Sequence, residues 1–302
     1  MQDYKFSEWL PKHDSHVHKY SRGRVAVIGG SDKFPGAAML AAKSAARAGA
    51  GYVTAFVPDA IHKQFQISLP EIVTFALPST EDGFIGKCAC SHIDLSKQHC
   101  ALYGPGTGNG KTQAKLLKKL LQADIPLVVD ADMIVELTEL EKEQGAKPLY
   151  KRCKPLVITP HHGELKKWLR DITNDDYNEL EDVEIVSRVQ RKLNDIEATN
   201  LVVVAKGERT LVITAEQVLE PIPGTETLAT AGTGDVLAGT IAGLIAQTRP
   251  FDVTATANVC AAAVEVHGVA GQIAATKFGR RGVIASDVCE NLGIAVDMLT
   301  ED

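Results

Sequence analysis

The sequence predicts an α/β fold, in which a mostly parallel sheet is flanked by helices on both faces and carries a short hairpin at one edge. Short, nearly continuous apolar runs alternate with longer Ala- and Leu-rich segments, the pattern of buried parallel strands joined by helices. Two further short strands, at 210–214 and 217–220, lie only a few residues apart, so we expect an antiparallel hairpin. After Pro223 the chain is almost wholly helical. The sequence contains no tandem repeat or Gly/Ser linker, so residues 1–302 are predicted to form a single domain, with residues 1–22 as an N-terminal arm.

Each predicted element follows from its local residue pattern. The first strand, 24–29, is a β-branched run that ends in glycine, and the first helix, 39–48, is rich in alanine and free of Gly and Pro. The remaining strands before the hairpin are predicted at 52–57, 72–75, 100–103, 127–130, 156–159 and 201–205. Helices are predicted between strands at 112–122, 133–138, 163–169 and 183–193, and after the hairpin at 233–247, 253–275 and 286–299.

Composition and charge exclude several classes of protein. Hydrophobic residues make up 45% of the chain and charged residues 23%, the ordinary balance of a globular domain, which excludes wholesale disorder. Lys and Arg number 32 against 38 Asp and Glu, giving a formal charge of −6, so a basic surface for nucleic acid or an anionic membrane is not expected. An anionic ligand must therefore be held locally, by backbone amides and a few Lys or Arg side chains.

Neither a membrane span nor an export signal is predicted. The first residues contain no apolar signal-peptide core, and the most apolar long stretch, 236–246, is shorter than the roughly 20 residues that cross a bilayer. The six cysteines include no C-x-x-C pair, so neither a zinc site nor a redox dithiol is expected. We expect a cytoplasmic protein whose thiols are reduced.

The clearest functional signal is the segment TAGTGD at 230–235, a glycine-rich turn that runs into a predicted helix. The first N–H groups of a helix lack intrahelical partners, and the helix dipole adds partial positive charge there. We therefore expect the amides of Gly232, Thr233 and Gly234 to form an anion hole for a phosphate. Asp235 lies in the same first turn, where a carboxylate is either a reactive group or only a helix cap, and this motif alone leaves both interpretations open.

A second polar turn, KGERT at 206–210, follows the predicted strand 201–205. The C-terminal ends of parallel strands lie along one edge of a sheet, and ligands bind at that edge in α/β proteins. This turn and Asp235 are therefore expected to face the same ligand.

Two further glycine-rich loops connect a predicted strand to a helix. The loop GPGTGNGKT at 104–112 is similar to a P-loop, but position 105 is Pro where G-x-x-x-x-G-K-[ST] requires Gly. It therefore indicates neither a Walker-type NTPase nor a dinucleotide fingerprint, although such a loop still suits contact with an anion. The loop GGSDKFPGAA at 29–38 has small residues that leave room for a bulky substrate, and packing of the helix alone also explains them.

Two other strand ends carry candidate catalytic or metal-binding side chains. His161 and His162 follow a predicted strand in the motif TPHHGE, where an imidazole is either functional or a surface group. Asp130 and Asp132 follow another strand. One of them is a candidate for holding Mg²⁺ through water, and capping of the next helix by Asp132 explains the pattern equally well. The sequence assigns no direct metal ligand.

In chain order, the motifs GRVAVIGGSDKFPGAA, LYGPGTGNG, VVDAD, ITPHHGE, VVVAKGERT and ATAGTGDVLAGTIAGLIAQ resemble those of the ADP/ATP-dependent NAD(P)H-hydrate dehydratases. Each motif alone is weak, but six in the same order are specific, and they cover roughly residues 18–297. The chain is similar to the stand-alone dehydratase without an epimerase domain. The resemblance implies a ribokinase-like fold, ADP or ATP as co-substrate, Mg²⁺, and a homo-oligomer that is commonly a tetramer.

The resemblance also assigns functional residues by position. The family's nucleotide site falls on Lys206, Gly207, Glu208, Arg209 and Thr210, with Gly234 on the phosphate side. The hydrated nicotinamide nucleotide falls against Ala38, Gly106, His161 and Asp235. The choice between Ala37 and Ala38 stays open because they are adjacent. The choice between His161 and His162 also stays open, since the family more often has Pro at position 162.

The reaction that the resemblance implies is the dehydration of NAD(P)HX to NAD(P)H. Hydroxide is a poor leaving group, so the ring hydroxyl is first phosphorylated by ADP or ATP, and phosphate is then eliminated. Asp235 is expected to accept the hydroxyl proton, and general-base assistance of this kind is worth ~10²–10⁴-fold. The anion hole at 232–234 would hold the transferring phosphoryl group, with Mg²⁺ offsetting its charge.

Two alternative functions use the same motifs. A small-molecule kinase acting on a heterocyclic alcohol would also need the glycine-rich turn and Asp235, because both reactions activate a hydroxyl. A kinase leaves a stable phosphate ester, whereas a dehydratase releases inorganic phosphate and restores the dihydropyridine absorbance. A non-catalytic module would bind ADP without turnover, and a redox enzyme has no support because the chain lacks a dinucleotide fingerprint.

Overall fold

The computed structural model describes residues 5–12, 18–169 and 182–300. The strands are β1 (Arg24–Ile28), β2 (Tyr52–Pro58), β3 (Val73–Leu77), β4 (Cys100–Tyr103), β5 (Leu127–Val129), β6 (Leu156–Ile158), β7 (Leu201–Ala205), β8 (Leu211–Ile213) and β9 (Val218–Leu219). The helices are α1 (Pro35–Arg47), α2 (Asp59–Ser68), α3 (Lys111–Leu120), α4 (Asp132–Gln144), α5 (Ala146–Tyr150), α6 (His162–Leu169), α7 (Asp182–Asp195), α8 (Thr233–Thr248), α9 (Val253–Phe278) and α10 (Ala285–Thr300).

The nine strands form one sheet in the order β3-β2-β1-β4-β5-β6-β7-β8-β9. Pairing is parallel from β3 through β7, and β8 and β9 are added antiparallel at the edge. The predicted mixed sheet with an edge hairpin is therefore confirmed. The strand order reverses at β1, and such a switch point leaves a crevice at the carboxyl edge of the sheet, where ligands bind.

Helices cover both faces of the sheet, which explains why its strands are apolar along their whole length. Alternate residues of a strand point to opposite faces. Val25 and Val27 of β1 pack in the layer that contains α1, α2, α8, α9 and α10. Ala26 and Ile28 pack in the opposite layer, with α3 to α7. The side chains on both faces of each central strand are therefore buried.

Two helices were not predicted, and several predicted bounds were too short. In α2 the buried residues are Ile61 and Phe65, so its apolar stripe is one residue per turn and gives a weak periodic signal. The short α5 follows α4 after one glycine. Helix α1 begins at Pro35 rather than at residue 39, because proline at the first helical position has its φ angle already set for a helix.

Helix α9 is long and apolar enough to cross a membrane by length and composition alone. In this fold, however, 78% of its most apolar window is buried inside the protein, as expected for a core helix.

The N-terminal residues that the structure describes pack against α9 as a short leading element. Phe6 and Leu10 are buried beside a 3₁₀ turn at Ser7–Trp9. The Glu265 carboxylate of α9 accepts hydrogen bonds from the backbone N–H of Phe6 and of Ile222. The remaining parts of the predicted arm, 1–4 and 13–17, lie outside the described residues.

Helix α8 lies directly on the backbone of α1, and glycines at their contact make this possible. A Cβ atom at Gly239 would lie 2.2 Å from the Ala41 carbonyl oxygen, and one at Gly243 would lie 2.7 Å from the Ala45 carbonyl oxygen. These two contacts fix the position of α8 in its layer, since backbone atoms on both sides leave no side chain to rearrange.

Gly239→Ala is expected to lower the melting temperature, because the added methyl group must push α8 and α1 apart. Overpacking of this kind costs ~1–3 kcal/mol. Gly36→Ala is the matched control, since a Cβ there meets nothing within 4 Å and alanine is favoured over glycine in a helix. Thermal unfolding followed by circular dichroism compares the two variants. Equal melting temperatures for Gly239→Ala and the wild type would contradict the close helix packing.

Candidate active site

The loops after five parallel strands meet at the carboxyl edge of the sheet. The N–H of Gly30, after β1, donates to the Pro105 carbonyl after β4 at 2.7 Å. The N–H of Asp130, after β5, donates to the Tyr103 carbonyl at 3.1 Å. After β6 and β7, His161 and Lys206 form an isolated parallel bridge. Residues distant in sequence are thus brought to one edge, as the strand pattern predicted.

The first turn of α8 is the predicted phosphate cradle. Gly232 is the residue before the helix and has a φ angle of +91°, a conformation that favours glycine. The Thr233 N–H makes a long contact of 3.4 Å with the Thr230 carbonyl, and its hydroxyl donates to the carbonyls of Leu228 and Thr230. Within the described part of the chain the N–H groups of Gly232 and Gly234 have no such partner. The cradle therefore offers mainly these two glycine amides, with Thr233 anchoring the turn.

Lys206 and Asp130 form a buried ion pair beside this turn. The Lys206 Nζ lies 2.9 Å from Asp130 Oδ1, and the Thr159 hydroxyl donates to the same carboxylate. The Asp130 side chain is 2% exposed and that of Lys206 is 18% exposed. A Cβ at Gly234 would lie 3.3 Å from the Lys206 Nζ, so the ammonium lies against the first turn of α8.

Asp235 is a partly buried carboxylate in a crowded acidic environment. Burial and the nearby charge of Asp130 raise the pKa of Asp235 to about 7, with smaller contributions from Asp132 and Glu164. The Lys206 ammonium acts in the opposite direction and lowers that pKa. The group therefore changes charge near neutral pH, as a general base requires.

The two adjacent histidines point to different parts of the site. Glu164 accepts a hydrogen bond from the His161 N–H at 2.9 Å, and its second oxygen lies 3.4 Å from His161 Nε2. Burial and the Lys206 charge lower the pKa of His161, which favours a neutral imidazole. His162 Nε2 lies 2.8 Å from where a Cβ at Gly207 would be, so His162 covers the turn at 206–210.

A cavity of about 740 Å³ is lined by every residue that the resemblance assigned to nucleotide binding. Those residues are Lys206, Gly207, Glu208, Arg209, Thr210 and Gly234. Its other walls include Leu228, Leu237 and Val264, which the sequence analysis did not single out. His267 also lines it, and its buried Nε2 has no hydrogen-bond partner among the described residues. A histidine inside the Ala-rich α9 is the signal in the sequence that points to this wall.

Among the residues predicted to contact the substrate, Gly106 is bordered by Ala37 rather than by Ala38. Ala38 is fully buried, and its Cβ lies 3.3 Å from where a Cβ at Gly30 would be. The Ala37 Cβ lies 3.1 Å from the corresponding position at Gly106, which is also beside the Phe34 carbonyl. The assignment of Ala38 to substrate contact stays a prediction.

The glycine loop at 104–112 uses its amides internally. The Gly108 N–H donates to Asp132 Oδ2 at 3.0 Å, and the Gly110 N–H donates to Glu136 Oε1 at 2.7 Å. These two amides are therefore not available to a phosphate, in agreement with the failed P-loop spacing. Asp132 serves this loop and does not cap α4, whose N-cap residue is Ala131.

Comparison with known proteins assigns the chain to a family. Residues 25–293 match the model of the family described as NAD(P)H-hydrate dehydratase. The chain is 30% identical to the ADP-dependent (S)-NAD(P)H-hydrate dehydratase of Listeria monocytogenes, over 97% of this chain and 94% of that protein. It is also 34% identical to the bifunctional NAD(P)H-hydrate repair enzyme of Moorella thermoacetica, over 97% of this chain and 53% of that enzyme. The chain thus spans about half the length of this bifunctional relative.

Solved structures confirm the predicted ribokinase-like fold. The ADP/ATP-dependent NAD(P)H-hydrate dehydratase from Bacillus subtilis, co-crystallised with ATP/Mg²⁺, superposes with a TM-score of 0.77 at 24% identity, covering 97% of this chain and 96% of that chain. A ribokinase-like superfamily protein from Enterococcus faecalis gives a TM-score of 0.77 at 22% identity, covering 98% and 94%. At these identities the structures establish the fold, whereas the family model and the Listeria relative establish the family. The six-motif resemblance is confirmed, and this chain belongs to the NAD(P)H-hydrate dehydratase family.

Proposed function

We propose that this chain catalyses the dehydration of (6S)-NAD(P)HX to NAD(P)H at the expense of ADP or ATP, releasing AMP or ADP and inorganic phosphate. The observation that carries the proposal is the position of Asp235. This carboxylate, with a pKa raised to about 7, lies in the same helical turn as the phosphate cradle and beside a cavity large enough for a nucleotide. The name of the Listeria relative supports the same reaction.

The proposed first step is phosphoryl transfer to the ring hydroxyl. The hydroxyl oxygen attacks the terminal phosphorus of the nucleotide, the bond from that phosphorus to the leaving oxygen breaks, and the hydroxyl proton passes to Asp235. The amides of Gly232 and Gly234 would bind the transferring group. In the second step phosphate leaves with the electron pair of the carbon–oxygen bond, and loss of a proton from the adjacent ring carbon restores the dihydropyridine.

We propose that Mg²⁺ enters together with the nucleotide. No group of three His, Cys, Asp or Glu side chains suited to a metal ion occurs in the described ranges 5–12, 18–169 and 182–300. Mg²⁺ commonly binds through one or two carboxylates, substrate phosphates and water. Glu164 fits this role as a carboxylate at the site whose pKa is raised by burial, so that a nearby cation would stabilise its charge. When bound, Mg²⁺ would offset the charge of the transferring phosphoryl group.

The direct test is turnover of the purified protein with NADHX, Mg²⁺ and either ADP or ATP. We expect the dihydropyridine absorbance to return while one inorganic phosphate is released for each NADH formed. Accumulation of a stable phosphate ester would instead indicate a kinase, and nucleotide binding without either product would indicate a binding module. The ratio of kcat/KM for ADP and ATP, and for NADHX and NADPHX, gives the substrate preferences.

We also propose a cytoplasmic homotetramer, on the basis of the family resemblance. Light scattering after size-exclusion chromatography is expected to give four times the chain mass of 32.4 kDa. A monomer mass at assay concentration would contradict the assembly without affecting the proposed reaction. Cell fractionation tests the location.

A further inference from the structure

The Lys206 ammonium lies in the nucleotide cavity beside the first turn of α8, where the phosphate cradle is predicted. Its Nζ lies 2.9 Å from Asp130 Oδ1 and would be 3.3 Å from a Cβ at Gly234, in the first turn of α8. Both side chains are held at strand ends, since Lys206 follows β7 and Asp130 follows β5. The charged group therefore faces the turn that carries the cradle amides and Asp235.

We propose that Lys206 is a catalytic residue, whose ammonium contacts the transferring phosphoryl group, and that Asp130 is the positioning residue that holds it there. The proposal rests on the proposed function, because it concerns the phosphoryl-transfer step of that reaction. It gives Lys206 a role in the transition state, beyond the general assignment to nucleotide binding.

Asp130 holds the ammonium without using up its hydrogen bonds. A lysine ammonium has three N–H donors, and within the described residues Asp130 is the acceptor that the structure gives it. The remaining donors are available to phosphate oxygens. The carboxylate itself is fixed, because the Thr159 hydroxyl donates to it and the Asp130 N–H donates to the Tyr103 carbonyl. With its side chain 2% exposed, Asp130 cannot turn out into solvent.

The surroundings also keep Lys206 charged. Burial, the largest single effect, would lower the pKa of Lys206, but the carboxylates of Asp130 and Glu164 together outweigh it and raise that pKa above its ordinary value. A pre-positioned positive charge costs no reorganisation when negative charge moves onto the phosphoryl oxygens. Glycine at position 234 fits this arrangement, since a side chain there would crowd the ammonium.

Lys206→Met tests the role of the charge. Removing one donor that stabilises a developing oxyanion typically costs about 10²–10³-fold in kcat. We therefore expect kcat to fall at least about 10²-fold while the KM for ADP changes less than about fivefold. Lys206→Arg keeps the charge with a different geometry and is expected to recover part of the lost rate. A variant with near-normal kcat and a greatly raised KM for ADP would overturn the proposal.

A double-mutant cycle tests whether Asp130 acts through Lys206. Asp130→Asn keeps the size of the side chain and an oxygen for the Thr159 hydroxyl, but it removes the ion pair. We expect about a 10-fold loss of kcat in the wild-type background and less than about a twofold change when Lys206→Met is already present. Equal losses in the two backgrounds would show an independent role for Asp130 and overturn its assignment as a positioning residue.

Lys192 and Glu141 provide a matched control pair. They also lie 2.9 Å apart, with side chains 13% and 3% exposed, but they join α7 to α4 away from the cavity. Lys192→Met is expected to lower the melting temperature while leaving kcat unchanged. If it lowers kcat as much as Lys206→Met, general destabilisation explains both results and the proposal fails. Absence of turnover in the wild type would contradict the proposed function, whereas wild-type turnover that Lys206→Met leaves unchanged would contradict only this inference.

Discussion

Asp235→Asn is expected to lower kcat at least about 10²-fold without disturbing the fold, because asparagine keeps the shape of the side chain but cannot accept the hydroxyl proton. The KM values should change little. Asp252→Asn is the matched control, since Asp252 caps α9 away from the carboxyl edge of the sheet, where asparagine also caps well. A near-normal kcat for Asp235→Asn would remove Asp235 from the role of base.

The same variant is expected to be more stable than the wild type at pH 8. The pKa of Asp235 rises from its ordinary value of 3.8 to about 7 in the folded chain, so the folded state binds the proton more tightly than the unfolded state does. Stability is therefore lost as the pH rises through this interval, and asparagine avoids that loss. Melting temperatures at pH 4 and pH 8 should show a gain only at pH 8. A lower melting temperature at pH 8 would indicate that the carboxylate has a stabilising partner.

The rate itself should depend on pH through the same group. With a pKa of about 7, about half of the Asp235 carboxyl groups are ionised at pH 7 and about one in a hundred at pH 5, so kcat/KM should fall about 50-fold between these pH values. Burial and the Asp130 charge are the main causes of this high pKa. The residual activity of Asp235→Asn serves as the control, because it should lack this acid limb. A wild-type profile that stays flat down to pH 5 would contradict the assignment.

The sequence predicted those parts of the fold that depend on local pattern and on the rules for parallel sheets. The β-branched runs form strands, and the turn at 206–210 lies at the carboxyl edge because it follows the parallel strand β7. Asp235 lies near Lys206 in the first turn of α8, which does not follow a strand directly. The apolar wall of the cavity was not predicted, because Leu228 and Val264 have the sequence pattern of ordinary core residues, and only the folded chain brings Leu228 and α9, which contains Val264, to the same cavity.

Two details of the site required the three-dimensional structure. Lys206 and Asp130 are 76 residues apart, so no local sequence pattern indicates that they form an ion pair. The sequence alone presents Asp130 only as one of two carboxylates, with Asp132, for metal binding or helix capping. Ala37 and Ala38 are one residue apart, which rotates a side chain by about 100° around a helix, so a motif match cannot decide which one borders Gly106.

The seating of α8 on α1 has a consequence for how new specificities could arise in this scaffold. Gly239 and Gly243 place α8 on the backbone of α1, and Gly232 lies between Leu40 and Ala285, so the helix that carries the phosphate cradle cannot shift without its neighbours. Adaptation to another alcohol or another nucleotide is therefore expected in the surrounding loops, at 29–38 and 207–210, rather than in α8 or at Lys206. The first turn of α8 and Lys206, which are proposed to act in phosphoryl transfer, are expected to stay constant, while the loops that contact the substrates change.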